Sequence, residues 1–148
     1  MLPQQINELR VDEGRFEKVY DDATEQLIVS STKVQGHPTI GIGRALDVHG
    51  LSDDEIEFLF HNDILRVEVE LSSQKWYVGC NDVRRGVLEN MCFQLGLDHL
   101  LEFKMMIEAL LDQNYEEAAK LMKDSEWYRQ TQSSRTSRLM QQMTSGVL

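Results

Sequence analysis

The sequence predicts a mostly helical α+β protein, and two patterns in the chain lead to this class. Apolar residues recur at helical spacing from Ser52 onward. Between residues 16 and 42, in contrast, β-branched residues are mixed with turn formers, which is typical of short strands. At 148 residues and 41% hydrophobic, the chain suits one domain with one core. We therefore expect a single domain over residues 1–148, with a first helix (1–13), a small β-containing lobe (14–50) and a helical lobe (51–148).

The first predicted helix runs from Pro3 to Glu13 and stops at Gly14, because glycine is common just past a helix end. The apolar stripe through Ile6 and Leu9 reaches Glu13 at helical spacing, so we expect the Glu13 carboxyl to face inward. Burial and the negative end of the helix dipole both favour a protonated acid, which can serve as a proton donor. The alternative is a glutamate at a frayed, solvated helix end.

Short strands are expected after the first helix. One strand or extended turn covers residues 16–22, and a second strand covers Thr39 to Ile42. Sixteen residues lie between Asp22 and Thr39, and their β-branched and turn-forming residues predict a hairpin or small meander. This long segment leaves open whether Thr39 lies opposite Glu13.

Two longer helices are marked by their caps. Ser52 and Glu55 form a capping-box pattern that predicts a helix from Ser52 to Leu71. Asp63 falls within the apolar face of that helix, and a buried carboxylate needs a partner, so we predict an ion pair with Arg44. The next helix begins after a cap at residue 81 or 82 and stops at Gly96.

The composition argues against several classes of protein. A formal charge of −10 argues against nucleic acid as a partner. No stretch of 18 apolar residues predicts an integral membrane segment, and the first residues lack the pattern of a secretory signal. Cys80 and Cys92 fit reduced thiols, so we expect a cytoplasmic location in the producing cell. The four histidines form no close metal-ligand pair, so no metal and no cofactor is expected.

Several motifs together resemble the phage-type (T4-like) lysozymes of glycoside hydrolase family 24. They are Asp-Glu-Gly at 12–14, Tyr-Asp-Asp at 20–22, Thr-Ile-Gly-Ile-Gly at 39–43, the helix at 83–96, and Ser-x-Trp-Tyr-x-Gln-Thr at 125–131. The chain departs from T4-like members in the long segment before Thr39 and in Arg44, where those members have histidine. The resemblance implies a lysozyme-like fold with a cleft between a small β-containing lobe and a larger helical lobe.

The resemblance also implies an activity and a set of residues for it. Glu13 is the implied general acid, Asp22 the second carboxylate, and Thr39 the hydroxyl that holds the attacking water. The expected reaction is inverting hydrolysis of the β-1,4 bond between N-acetylmuramic acid and N-acetylglucosamine in peptidoglycan. The expected partner is therefore the glycan strand of the wall, reached by a monomer through a holin or a similar route.

Further residues are implied to support this reaction. Two arginines lie three residues apart, so both can face one neighbour. We expect Arg135 to pair with Glu13 and Arg138 with Asp12, and Gln94 to lie near the substrate cleft. An arginine beside Glu13 favours the charged carboxylate, whereas a general acid must carry a proton.

Three alternatives stay open. A lysozyme-like fold can bind glycan or a protein without hydrolysing it, which muropeptide release would test. The acidic helix from Ser52 to Glu70 can instead be the working surface of an interaction module. Lytic transglycosylase chemistry on the same polymer would release an anhydro-muramic product.

Overall fold

A computed structural model gives the fold of the protein and describes residues 1–131 and 133–148. It contains two compact units, Met1–Glu57 and Phe58–Leu148. The predicted boundaries between the lobes, and the predicted cleft, stay predictions. Among the described residues, no helix combines the length and the hydropathy needed to cross a bilayer.

The first unit combines helices with a small sheet, as the fold class predicts. Four strands lie in the order β2-β1-β3-β4, and each neighbouring pair is antiparallel. Its elements are α1 (Pro3–Glu13), β1 (Phe16–Asp21), β2 (Gln26–Leu27), β3 (Pro38–Gly41), β4 (Arg44–Ala45), α2 (Leu46–His49) and the start of α3 (Asp53–Ser72).

The register of this sheet brings distant parts of the chain together. Tyr20 pairs with Leu27 on one side and with Thr39 on the other, and Thr39 also pairs with Ala45. The pairing of β1 with β2 confirms the predicted hairpin after Asp22. Tyr20 and Thr39 are both buried. Thr39 therefore pairs with the end of β1 although sixteen residues separate it from Asp22.

The first helix has the predicted bounds, but its predicted orientation is wrong. All eleven residues of α1 are described, and none of them is buried. Ile6 and Leu9 are 38% and 43% exposed, and Glu13 is exposed as well. A helix needs a broad apolar stripe to bury one face. Two aliphatic residues among polar neighbours do not form such a stripe, so the Glu13 carboxyl is not drawn inward.

The second unit is helical and contains the larger core. α5 (Asp82–Leu95) lies at its centre and contacts α4 (Lys75–Val78), α6 (Leu97–Leu100) and α10 (Ser133–Ser145). Val87, Leu88 and Met91 of α5 are fully buried. The remaining helices are α7 (Lys104–Leu111), α8 (Tyr115–Lys123) and α9 (Glu126–Gln130).

Both ends of α5 lie where the sequence predicts them. The Asn81 side chain accepts a hydrogen bond from the Arg84 amide at 3.1 Å, and Gly96 ends the helix. The Arg84 guanidinium then crosses to the end of α10, where its Nε donates to the Met143 carbonyl at 2.8 Å. The start of the central helix thereby fixes the end of the last one.

The long helix α3 buries less than its sequence pattern predicts. Val67 and Leu71 are buried, whereas Ile56, Leu59 and Phe60 are about half exposed. Helical spacing shows which residues share a face, but it does not show which turns of that face another element covers.

Candidate active site

The Glu13 carboxyl lies against Gly43, in the turn between β3 and β4. A Cβ atom at position 43 would be 2.5 Å from Glu13 Oε2 and 3.2 Å from Glu13 Cδ. Gly43 also has a φ of 71°, a backbone conformation that favours glycine. The backbone conformation at position 43 therefore favours glycine, and a Cβ atom there would require the Glu13 carboxylate to move.

Asp22 and Thr39 are both hydrogen-bonded to the backbone of His37. The His37 amide donates to Asp22 Oδ1 at 2.7 Å, and the Asp22 amide donates to the His37 carbonyl at 3.2 Å. The Thr39 hydroxyl donates to the same carbonyl at 3.1 Å. Asp22 and Thr39 are thus joined through His37 despite the sixteen residues between them, and Glu13, at the end of α1, lies in the same unit.

Asp21, which the sequence prediction did not single out, holds the long segment in place. Its side chain is only 1% exposed. Oδ1 accepts from the amides of Ala23 at 3.0 Å and Gly36 at 2.9 Å, and Oδ2 accepts from Gln35 at 2.7 Å. The Gln35 bond contributes most to a lowered pKa of Asp21; the other two amide bonds lower it further, and burial opposes them.

The carboxylate of Asp21 therefore ties the start of the long segment to its end. Aspartate commonly bonds to nearby backbone amides at turns, and its position directly before this segment was the signal that could have identified it.

His37 also carries a side-chain ion pair. Its Nδ1 lies 2.9 Å from Asp47 Oδ2, and Asp47 belongs to α2. The hydrogen bond to Asp47 is the main cause of a raised pKa of His37, with the charges of Asp47, Asp22 and Asp21 adding to it. The same bond lowers the pKa of Asp47. The sequence analysis considered the histidines only as metal ligands and did not anticipate this pair.

Both members of the predicted ion pair between Arg44 and Asp63 have other partners in the structure, and the pair itself joins residues of different units and stays a prediction. Arg44 Nη1 bonds to Glu55 Oε1 at 2.8 Å, and Arg44 Nε donates to the Gly50 carbonyl at 2.8 Å. Asp63 is 44% exposed and pairs with Arg66, one helical turn away, at 3.0 Å. Because Asp63 is solvated and has a local partner, the premise of a buried carboxylate does not hold.

Glu55 accepts the side-chain hydrogen bond from Arg44. The capping box is present, since the Ser52 amide donates to Glu55 Oε2 at 2.8 Å and the Glu55 amide to Ser52 Oγ at 3.3 Å. The Ser52 amide contributes most to a lowered pKa of Glu55, ahead of the Ser52 hydroxyl and Arg44. Arg44 therefore ties the strand after Gly43 to the start of α3.

In the helical unit, Arg135 is held by the side chain and the backbone of Asn90. Arg135 Nε and Nη2 lie 3.0 and 2.8 Å from Asn90 Oδ1. This places the guanidinium at the edge of an apolar groove of about 300 Å³. The rest of the groove is lined by Phe60, Ile64, Val67, Gly86, Glu89, Asn90 and Phe93. Arg138 is exposed. The pairings of Arg135 with Glu13 and of Arg138 with Asp12 join residues of different units and stay predictions.

Gln94 connects α5 to α9. Its Oε1 accepts from the Trp127 indole N–H at 3.1 Å, and its Nε2 donates to Thr131 Oγ1 at 3.1 Å. Both partners belong to the Ser-x-Trp-Tyr-x-Gln-Thr motif. This arrangement gives Gln94 a positioning role for Trp127, and its predicted place in a substrate cleft stays a prediction.

The described residues contain no group of three or more His, Cys, Asp or Glu side chains that could hold a metal ion.

The chain is mostly helical with a small antiparallel sheet, and it has a lysozyme-like α+β fold. Similarity to known proteins agrees with this class. The chain is 30% identical to "Probable T4-type lysozyme 1" of Dictyostelium discoideum over 102 residues. It is 29% identical to "Probable T4-type lysozyme 2" of the same organism over 102 residues. These similarities support a T4-lysozyme-like family.

A third relative is aligned with most of the chain. The "Pre-baseplate central spike protein Gp5" of Enterobacteria phage T4 is 29% identical over 170 aligned positions, which include 95% of this chain. The Dictyostelium alignments each include 66% of the chain. The chain spans 27% of the phage protein and 59% of each Dictyostelium protein. No protein-family model matches the chain.

Proposed function

We propose that the protein is a peptidoglycan hydrolase, an N-acetylmuramidase that cleaves the β-1,4 bond between N-acetylmuramic acid and N-acetylglucosamine with inversion. The observation that carries this proposal is the joining of Asp22 to Thr39 through His37, with Glu13 placed in the same unit. Asp22 and Thr39 are bonded to one residue, His37, and the Glu13 carboxyl lies at the turn that ends β3. The names of the two Dictyostelium relatives favour the same activity.

The hydrogen bonds define how a water molecule would be held. The Thr39 hydroxyl donates its proton to the His37 carbonyl, so toward a water it offers only lone pairs. Asp22 Oδ1 is occupied by the His37 amide, which leaves Oδ2 to act as a base. A water that donates one hydrogen to Asp22 Oδ2 and the other to Thr39 Oγ1 keeps a lone pair for the anomeric carbon.

Glu13 supplies the proton for the leaving group in this proposal. As the glycosidic bond breaks, its carboxyl protonates the leaving oxygen, and Asp22 takes a proton from the attacking water. An inverting arrangement requires carboxyl groups roughly 6.5–9.5 Å apart. Pairing with Arg135 would favour the charged form of Glu13, so bound substrate has to separate that pair before the acid can donate.

Muropeptide release from purified walls tests this function. We expect Glu13→Gln to lower the rate by about 10²–10⁴-fold, because the amide keeps the shape but has no proton to give. Glu8→Gln is the matched control, since Glu8 is exposed on the same helix and bonds only to the Gln4 side chain among the described residues. Product NMR should show the α-anomer forming first.

Other results would point elsewhere. Retained lysis by Glu13→Gln would remove Glu13 from the mechanism. An anhydro-muramic product would identify a transglycosylase, and binding to walls without any release would identify a lysozyme-like binding module.

A further inference from the structure

The backbone of His37 connects the two residues that are proposed to hold the water. Its carbonyl accepts from the Asp22 amide and the Thr39 hydroxyl, and its own amide donates to the Asp22 carboxylate. A movement of His37 would therefore displace both residues at once. The functional meaning of this arrangement rests on the proposed function.

The side chain of His37 is anchored on the opposite side, to α2. Asp47 accepts through both oxygens, at 2.9 and 3.2 Å from His37 Nδ1. Both side chains are about half exposed, at 51% and 46%. Exposed ion pairs contribute little to the stability of a fold. The pair near Asp22 therefore adds little to the free energy of unfolding, and what matters is that it holds the His37 side chain in place.

The charges around His37 are mostly negative. Asp21 and Asp22 face it from the end of β1, and Asp47 faces it from α2. His49 is the other titratable residue of α2, and Arg44 of β4 is engaged by Gly50 and Glu55. Since the pKa of His37 is raised above 6.5, the ion pair is complete below that value. It is lost as the pH rises through the raised value.

We propose that His37 is a positioning residue: its ion pair with Asp47 fixes the peptide that holds Asp22 and Thr39, and loss of the imidazole proton loosens that peptide. Activity thereby gains a dependence on pH that is separate from the titration of the proton donor. Asp47 acts through His37 and does not touch the reacting atoms.

The test compares wild type with Asp47→Asn across the pH range, using soluble peptidoglycan fragments as substrate. We expect kcat of the variant to be about tenfold lower below the pKa of His37, with KM unchanged, because catalysis is sensitive to small displacements. The ratio of the two kcat values should fall toward one above that pKa. Any pH dependence that both enzymes share cancels in this ratio.

Further variants separate positioning from folding. Asp47→Glu keeps the carboxylate and should restore kcat, His37→Gln should behave like Asp47→Asn, and His49→Gln on the same helix should match wild type. The midpoint of the kcat ratio should coincide with the His37 imidazole titration measured by NMR. A ratio that is constant with pH, or equal to one throughout, would overturn the inference.

The proposed function can fail separately from this inference. If Glu13→Gln is inert while the ratio for Asp47→Asn stays at one, the inference fails and the hydrolase proposal stands. If the wild-type protein releases no muropeptides, the hydrolase proposal fails and this inference fails with it.

Discussion

Replacement of Gly43 by alanine tests the contact that positions the proposed proton donor. The added Cβ would lie 2.5 Å from Glu13 Oε2, and an ordinary contact begins at 3.4 Å, so the oxygen has to retreat by about 0.9 Å. A misplacement of about 1 Å can cost about 100-fold in rate. We therefore expect Gly43→Ala to lower muropeptide release by about 100-fold.

Gly41→Ala is a matched control for the backbone. Gly41 has a φ of 70°, nearly the same as the 71° of Gly43, but a Cβ there would meet nothing within 4 Å. Each variant should lose about 1–2 kcal/mol of unfolding free energy from the left-handed conformation. That loss corresponds to a Tm lower by about 2–8 °C. The two variants should thus share their loss of stability and differ in activity. Equal lysis by both would refute the idea that the Gly43 contact positions Glu13.

Three further predictions concern contacts elsewhere in the chain. Asp21→Asn replaces a carboxylate, which accepts hydrogen bonds through both oxygens, with an amide whose NH2 group cannot accept from a backbone N–H. The segment after β1 should therefore exchange its amide hydrogens faster, as measured by NMR. Gln94→Ala leaves the Trp127 indole N–H without its acceptor and should cost about 1–3 kcal/mol in urea unfolding, with a changed tryptophan emission. Gly146→Ala would strain a residue at φ 71° and bring its Cβ within 2.6–2.8 Å of the Arg84 guanidinium. We expect it to lose at least about 1–2 kcal/mol in the same assay.

Features that depend on neighbouring residues were predicted well from the sequence. The bounds of the first helix, the Ser52–Glu55 capping box and both ends of the central helix all match the structure. Each depends on groups a few residues apart, such as a side chain that satisfies a free amide at a helix start. The hairpin after Asp22 was predicted for the same reason, from its turn-forming and β-branched residues.

The choice between partners that lie far apart in the chain was not predictable in this way. Several acidic residues were possible partners for Arg44, and helical periodicity favoured Asp63. Periodicity did not take into account that Arg66, one helical turn away, pairs with Asp63. The orientation of Glu13 was misjudged for a similar reason, since periodicity defines a face but not what covers it. Asp21 and Asp22 are neighbours of identical type, and composition alone does not show which of them is buried.

Residue order was enough to indicate a mostly helical α+β chain, because local spacing and turn chemistry determine this class. Its motifs resemble the T4-like lysozymes, and that resemblance implied the candidate acid, base and hydroxyl. Three-dimensional folding was needed to show that one peptide at His37 joins Asp22 to Thr39, that Asp21 closes the long segment, and that Gly43 makes room for Glu13. These contacts are set by strand register, which joins residues more than a dozen positions apart and is not encoded by any short stretch of the chain.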